Sequence, residues 1–160
     1  MVEFRGRPIR IRYRGNLVDS AGNEAHAETN IRTRVIVLDS ELKRNQREQE
    51  RILLHERFHF VWVRLGNPKR REWEALLRAE MESGARGEAG WSAEWRKKKL
   101  TAEDVAQRSR RWREYCCESF CDTAALFAGA KSKENTLGRK RFEARFGWLR
   151  QRLGTGPLPI

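Results

Sequence analysis

The sequence contains no long hydrophobic run and few cysteines. Its longest strongly apolar stretch, Phe58 to Val63, is interrupted by His59 and is far shorter than the roughly 20 residues that a membrane helix needs. The first residues are charged and no apolar segment follows them, so we expect no secretion signal. Three cysteines between positions 116 and 121 do not form the pattern of a disulfide framework. These absences predict a cytoplasmic protein with no membrane partner.

Negative charge is also scarce. Across 160 residues, 34 lysines and arginines stand against 22 acidic residues, which gives a net charge of +12. Such a surface could attract nucleic acid or an acidic partner. The arginines are scattered from Arg5 to Arg152, so an ordinary solvated surface is the simpler interpretation. Seven phenylalanines and six tryptophans indicate a packed fold, and the length predicts one domain over residues 1–160.

Residues 1–38 have the pattern of β-strands. Apolar and basic side chains alternate from Pro8 to Arg14, and a second β-rich run covers Ile31 to Leu38. Ser20 to Asn23 has the composition of a turn. This part of the chain therefore predicts a small antiparallel or mixed sheet.

Helical patterns follow. Asn45, with Glu48 three residues later, is typical of a helix N-terminus, and the next apolar residues recur at helical spacing. The predicted segments are a helix over 45–65, a helix over 68–82, a lid or linker over 83–100, a long helix over 101–128, an amphipathic helix over 133–153 and a frayed tail over 154–160. The sum is an α+β fold, in which a small N-terminal sheet packs on a helical bundle.

The helix over 45–65 carries an H-E-x-x-H motif that begins at His55 and ends at His59. Positions i and i+4 share one helix face, so both imidazoles can reach one metal ion. Glu56 lies about 100° around the helix, where it can act on water without occupying a ligand position. The blander interpretation is two histidines that hydrogen-bond to backbone or carboxylates in an unrelated helix. We predict a Zn²⁺ site in which Glu56 is the general base.

A hydrolytic zinc site needs three protein ligands and one open position. No histidine follows His59, so a carboxylate from another helix is required. Glu118 and Asp122 are four residues apart within an apolar stretch, where two buried acids need compensation. We predict that Glu118 is the third ligand and that Asp122 accepts the free ring N–H of a ligand histidine.

Several alternatives for the third ligand stay open on the sequence alone. Both acids could face solvent, or Asp122 could ligate while Glu118 supports it. Cys117 or Cys121 could complete a closed, sulfur-rich site, although such cysteines are more often small buried hydrophobes. His26 could supply a ligand from the strand region.

These motifs resemble the gluzincin zinc metallopeptidases, closest to the ImmA/IrrE-type proteins and the minimal gluzincins. The match consists of Leu54-His55-Glu56-x-x-His59 and Glu118-x-x-x-Asp122-x-Ala124-Ala125. It covers roughly residues 31–65 and 112–128. The resemblance implies a zincin-like fold with a strand before the motif helix, a glutamate ligand on a later helix and an aspartate behind a histidine. The chain departs from the pattern at Phe58, where the family commonly has a small residue, and in its long basic stretch over 66–111.

The predicted function is therefore a zinc metallopeptidase that acts on a peptide or protein substrate. Zinc-bound water would attack the peptide carbonyl while Glu56 takes the proton. Tyr115, Arg57 and Arg113 are candidates for a second electrophile, and a substrate strand could add to a free sheet edge at residues 33–38.

A function of another class is a basic, nucleic-acid-associated regulatory protein with a structural zinc. Arginines cluster between Arg108 and Arg113, and Trp91 and Trp95 neighbour the lysine run over 97–99, so phosphates and bases could both find contacts. A peptidase that acts on DNA-bound repressor proteins and an inactive zincin-like scaffold are further alternatives.

Overall fold

The computed structural model describes residues 2–18, 22 and 24–160. These residues form six α-helices, one 3-10 helix and a small mixed sheet, which confirms the predicted α+β class. The strands are β1 (Phe4–Arg5), β2 (Arg10–Arg14), β3 (Ala27–Asn30), β4 (Val35–Asp39) and β5 (Leu158–Pro159). The helices are the 3-10 helix (Ser40–Arg44), α1 (Gln46–Arg64), α2 (Gly66–Glu82), α3 (Trp91–Lys97), α4 (Ala102–Ala106), α5 (Arg110–Phe127) and α6 (Arg139–Leu153).

The three-stranded sheet has β4 at its centre, with β2 parallel to it on one side and β3 antiparallel on the other. Ile36 and Leu38 of β4 are fully buried, whereas every residue of β2 is exposed. The predicted strand over 31–38 is shorter than expected, because residues 31–34 form a turn between β3 and β4. The predicted turn at Ser20 to Asn23 lies, except for Gly22, outside the described residues.

The helices α1 and α2 confirm the predictions over 45–65 and 68–82, and the Asn45 side chain caps α1 as predicted. The segment 83–100 contains α3, which packs against α5. The last helix, predicted over 133–153, begins only at Arg139.

The prediction of a single long helix over 101–128 is wrong, because this segment forms two helices, α4 and α5. The chain leaves α4 at Ala106 and enters α5 at Arg110, because Arg108 adopts a left-handed φ of 52°. The Ser109 hydroxyl then accepts the Trp112 N–H at 3.3 Å and caps α5. Glu118 and Asp122 consequently lie on a helix with its own N-terminus.

The C-terminal tail, predicted to fray, belongs to the fold. Leu158 of β5 is 4% exposed and pairs in parallel register with Phe4 of β1. Its side chain packs into the main core, which explains why residues after α6 stay ordered against the N-terminus. In the described part of the chain, no helix combines the length and the apolar character needed to cross a membrane.

The main core is aromatic and fixes α1 against α5. Phe58 of α1, Phe120 of α5 and Trp73 of α2 have no exposed surface. The rings of Phe58 and Phe120 meet edge to face with centroids 6.1 Å apart, and those of Trp73 and Phe120 are 5.7 Å apart. Such buried rings interlock with little free volume, so the two helices hold a defined register.

An ion cluster that the sequence did not predict lies behind α5. Arg145 of α6 has no exposed surface and donates to Glu80 of α2 at 2.6 Å and to Glu88, in the loop before α3, at 2.7 Å. Burial alone would lower the pKa of Arg145, but the charge of Glu88 and the bonds to both acids raise it. Lys97 of α3 donates to Glu88 at 3.2 Å, and so does Ser119 of α5. The cluster ties α3 and its preceding loop to the back of α5.

Candidate metal centre

The two motif histidines and the predicted third ligand come together between α1 and α5. The imidazole centroids of His55 and His59 lie 5.0 Å apart. Nε2 of His55 is 3.2 Å from Oε2 of Glu118, and Nε2 of His59 is 3.8 Å from Oε1 of the same carboxylate. Both rings therefore point one nitrogen at a single acid from another helix.

Asp122 occupies the position behind His55 that the sequence predicted for it. Its Oδ1 lies 2.7 Å from Nδ1 of His55, and the residue is 3% exposed. A carboxylate at Nδ1 holds the proton on that nitrogen and leaves Nε2 free as a ligand. Asp122 contacts the nitrogen that faces away from Glu118, so this geometry favours a supporting role for Asp122.

Glu56 also lies at the site and is 8% exposed. Its Oε2 is 3.9 Å from Nε2 of His59, the nitrogen that faces Glu118. The carboxylate thus borders the space between the two imidazoles without standing behind either ring.

A cysteine joins the histidines as well. Candidate ligand atoms of His55, His59 and Cys121 all lie within 4.8 Å of one another, so these three residues are a possible metal site as well. Cys117 approaches the other side of His59, with Sγ 3.4 Å from Nδ1. All three cysteines are free thiols. His26 lines the same cleft but belongs to no such cluster among the described residues.

The titration of the two cysteines differs. Burial raises the pKa of the Cys121 thiol well above its ordinary value. The hydrogen bond from Cys121 lowers the pKa of Cys117 to about 6 against the opposing effect of burial, and His59 adds to the lowering. A thiolate is the form that ligates metal.

The imidazoles are poised as cations beside carboxylates. Burial alone would lower the pKa of His55, but the charge and hydrogen bond of Asp122 raise it well above the ordinary value. The same opposition, with Glu118 as the main partner, raises the pKa of His59 to about 9. The pKa of Glu118 is lowered despite its burial, chiefly by His59 and His55. The carboxylates of the pocket therefore stabilise positive charge placed between them, on the imidazoles in the metal-free protein.

The helix α3 clamps both acids from the far side, which sequence reasoning missed. Ser92 donates its hydroxyl to Oε2 of Glu118 at 2.5 Å, and the Ala93 N–H donates to Oδ2 of Asp122 at 3.1 Å. Gly90 allows this approach, because a Cβ there would lie 2.5 Å from Cγ of Asp122. The only sequence signal was the glycine itself, and nothing local connects it to α5.

Arg96 adds a positive charge to the same clamp. It donates to the Ser92 hydroxyl at 2.8 Å and lies 3.7 Å from Oε1 of Glu118. The earlier electrophile candidates do not line the cleft. Tyr115 is buried and donates to Glu88, Arg57 stacks over a core phenylalanine, and Arg113 faces solvent.

The site opens into a cleft of about 880 Å³ between α1, α3, α5 and β3. Ala27 and Thr29 of β3 line one wall. The prediction that residues 33–38 offer a free sheet edge is wrong, because β4 lies at the centre of the sheet and is hydrogen-bonded to β2 on one side and β3 on the other. Within the described residues, β3 is the strand that brings a free edge to the cleft.

The basic clusters proposed for nucleic acid are paired in part, while Arg111 and Arg113 are exposed. Arg108 donates to Glu74 at 2.7 Å, and Arg110 donates to Glu114 at 2.7 Å. Lys97 is directed into the buried ion cluster. The arginine run therefore presents less free charge than its composition suggested.

Comparisons of this chain with protein-family models, with curated proteins and with solved structures found no match. The likeness to gluzincins therefore stays a prediction that rests on the two motifs.

Proposed function

We propose that this protein is a zinc-dependent metallopeptidase whose metal ligands are His55, His59 and Glu118. The observation that carries the proposal is the convergence of two Nε2 atoms on one carboxylate, at 3.2 and 3.8 Å. Ligand atoms around a tetrahedral zinc ion lie about 3.3–3.5 Å apart, given its bond lengths to nitrogen and oxygen. The two distances from Glu118 are close to this spacing but run to different oxygens of its carboxylate. Among the described residues, the candidate atoms that all lie within 4.8 Å of one another belong to His55, His59 and Cys121. A zinc ion shared with Glu118 therefore requires the two rings and the acid to adjust around it.

Glu118 is preferred over Cys121 as third ligand for an electrostatic reason. The lowered pKa of Glu118 keeps it an anion, whereas burial raises the pKa of Cys121 and holds its thiol protonated. A carboxylate offers zinc a ready negative charge, while the thiol must first lose a proton. Asp122 behind His55 completes the arrangement that metal-ligating histidines commonly have.

A bound zinc ion supplies Lewis-acid chemistry, which polarises a carbonyl and makes water acidic near neutral pH. Glu56, with Oε2 3.9 Å from Nε2 of His59, would accept the proton of an attacking water. It then returns the proton to the leaving amine. Arg96, whose side chain is about a third exposed in the cleft and lies 3.7 Å from Glu118, is a candidate cation to stabilise negative charge on the substrate.

The free edge of β3 supports a peptide as the substrate. An extended chain that pairs with Ala27–Asn30 would run through the cleft alongside the metal ligands. Backbone pairing of this kind recognises any polypeptide and rejects compounds that lack a peptide backbone.

Replacement of Glu56 by Gln tests the assignment of the general base. Zinc-loaded wild type and Glu56→Gln are incubated with a mixture of unstructured peptides, and cleavage is read by mass spectrometry. We expect cleavage by the wild type, none after chelation, and loss of at least about 100-fold in Glu56→Gln with unchanged zinc content. Equal cleavage by the variant would refute the role of Glu56.

A second candidate is a closed structural metal site that includes Cys121, which the compact His55, His59 and Cys121 cluster favours. Cobalt substitution separates the two. A thiolate ligand produces an intense charge-transfer band in the near ultraviolet, and a carboxylate does not. We expect no such band in wild type, full metal content in Cys121→Ser and loss of metal in Glu118→Ala. The reverse pattern would make the site structural.

A further inference from the structure

Two exposed tryptophans form a flat apolar surface at the cleft mouth. Trp91 is 57% exposed and Trp95 is 37% exposed, although indole rings are usually covered. Their rings stack with centroids 6.1 Å apart and planes 25° from parallel. Both line the cleft that holds the metal ligands, opposite Val63 of α1, itself 41% exposed. We call Trp91 and Trp95 the tryptophan shelf.

The shelf is held in register with the site. Trp91 and Trp95 alternate along α3 with Ser92 and Arg96, the residues that contact Glu118. Because those contacts pin α3 to α5, the shelf keeps a fixed position relative to the metal ligands. Rigid aromatic side chains in a defined place make strong anchors for a partner.

Positive charge borders the shelf. Lys99 is exposed, and its Nζ lies 3.6 Å from the ring centre of Trp95. Arg96 is also near this ring, with its guanidinium carbon 5.5 Å from the same ring centre. Lys98 is paired with Glu94 at 3.3 Å and does not add to this charge. The surface therefore suits an apolar group next to an anion.

We propose that the tryptophan shelf is a specificity site, which binds a bulky apolar or aromatic side chain of the substrate polypeptide with an acidic residue beside it. The side chain packs on Trp91 and Trp95, and the acid meets Lys99. The inference rests on the proposed peptidase function, because it takes the occupant of the cleft to be a polypeptide.

A single-stranded nucleic acid would also stack on tryptophans, but the cleft disfavours it. Nucleic acid brings a row of phosphates, and the cleft sets five acidic side chains beside the three basic residues Arg51, Arg96 and Lys99. Its lining includes the acidic side chains of Glu24, Glu56, Glu118, Asp122 and Glu134. A peptide with one acid and one apolar group matches the shelf and avoids this repulsion.

The test measures binding separately from hydrolysis. Zinc-loaded Glu56→Gln protein is titrated into fluorescein-labelled ten-residue peptides that differ only in a central pair: Phe-Glu, Phe-Lys or Ala-Glu. Anisotropy gives the Kd of each, and an oligothymidine serves as the competitor for nucleic acid. We expect Phe-Glu to bind about tenfold more tightly than either of the others.

Variants then assign the preference to the shelf. Trp95→Ala should remove the advantage of Phe over Ala, and Lys99→Glu should reverse the preference between Phe-Glu and Phe-Lys. Lys140→Glu changes the same charge on an exposed residue of α6 outside the cleft, and it should leave both preferences intact. Lys99→Glu alters an exposed side chain, so it tests the preference for the acid even if a tryptophan variant folds poorly.

Each outcome bears on one proposal or the other. Equal Kd values for the three peptides, or displacement of peptide by equimolar oligothymidine, would overturn the shelf as a peptide specificity site. Peptide preferences that depend on Trp95 and Lys99, in a protein whose wild type cleaves nothing, would keep the shelf and remove the peptidase. If wild type cleaves peptides and substitution of Trp95 or Lys99 changes neither binding nor cleavage, the peptidase proposal stands and the shelf proposal is removed.

Discussion

Nδ1 of His55 lies 2.7 Å from Oδ1 of Asp122, while the second oxygen of that carboxylate accepts the Ala93 N–H at 3.1 Å. One buried acid on α5 therefore orients a ring on α1 and anchors the start of α3. The proposed metal ligand His55 and the cleft wall that carries the tryptophan shelf depend on the same side chain.

Asp122→Ala should weaken zinc binding without removing a ligand. Loss of such a partner typically lowers metal affinity by about 10–100-fold, because the ligand ring loses its orientation and basicity. Competition against a chromophoric chelator measures the change. Glu114→Ala removes an exposed acid from the same helix and should leave the affinity unaltered. Equal affinities in the two variants would contradict the assigned role.

Gly90→Ala should disturb the site although Gly90 contributes no side chain. Its added Cβ would lie 2.5 Å from Cγ of Asp122, so either α3 or the carboxylate must move. Overpacking of this kind costs about 1–3 kcal/mol. Gly138→Ala is a matched control, since it also precedes a helix and its Cβ would meet nothing within 4 Å. Thermal unfolding and zinc affinity should both fall in Gly90→Ala alone.

How much the sequence revealed depended on whether a feature is local. The spacing of His55 and His59, and that of Glu118 and Asp122, is set by one helical turn, so the shared faces could be read directly. The contact of Ser92 with Glu118 joins residues 26 positions apart. No spacing in the sequence relates the two segments that carry them. It became visible only once α3 was placed against α5.

The sequence also did not predict which charged residues are buried. Arg145 occupies a position in an arginine-rich helix, and composition gave no sign that it differs from its exposed neighbours. Its partners Glu80 and Glu88 come from separate segments, so only the tertiary fold brings them together. The pairing of Leu158 with Phe4 escaped prediction for the same reason, since the two residues lie at opposite ends of the chain.

Zinc binding should release protons. The pKa of His55 is raised and that of His59 is about 9, so we expect both rings to be protonated on both nitrogens, as imidazolium cations, at pH 7 in the metal-free protein. Zinc must displace them, so affinity should increase as the pH rises from 6 to 9. Cys117 could take up one of these protons, so the measurement uses Cys117→Ser.

Calorimetry of that variant in buffers of different ionisation enthalpy counts the released protons. We expect about two per zinc ion at pH 7, and fewer at pH 9. An affinity that does not change between these pH values would show that the rings are neutral before zinc binds.

Arg145→Leu should destabilise the whole fold. Removal of Arg145 takes from Glu80 its buried cation and leaves Glu88 with Lys97 as its remaining cation. Loss of one partner from a buried ion cluster costs about 3–5 kcal/mol of unfolding free energy. Arg139→Leu is the control, because Arg139 is 91% exposed in its pair with Glu143 and its loss should cost almost nothing. Urea unfolding at pH 7 measures both.

The pH dependence of this loss identifies its cause. Burial raises the pKa of Glu88, but Arg145 and its other partners outweigh that effect and keep the pKa below the ordinary value of 4.5. In wild type the stabilisation from Glu88 is therefore present above pH 4.5 and is lost as the pH falls further. Without Arg145, burial is opposed only by the charge of Lys97 and the hydrogen bond from Tyr115, so the pKa of Glu88 should rise from its wild-type value and protonation should relieve part of the buried charge. The deficit of Arg145→Leu should thus shrink from pH 7 to pH 4.5, and a constant deficit would point to lost packing as its source.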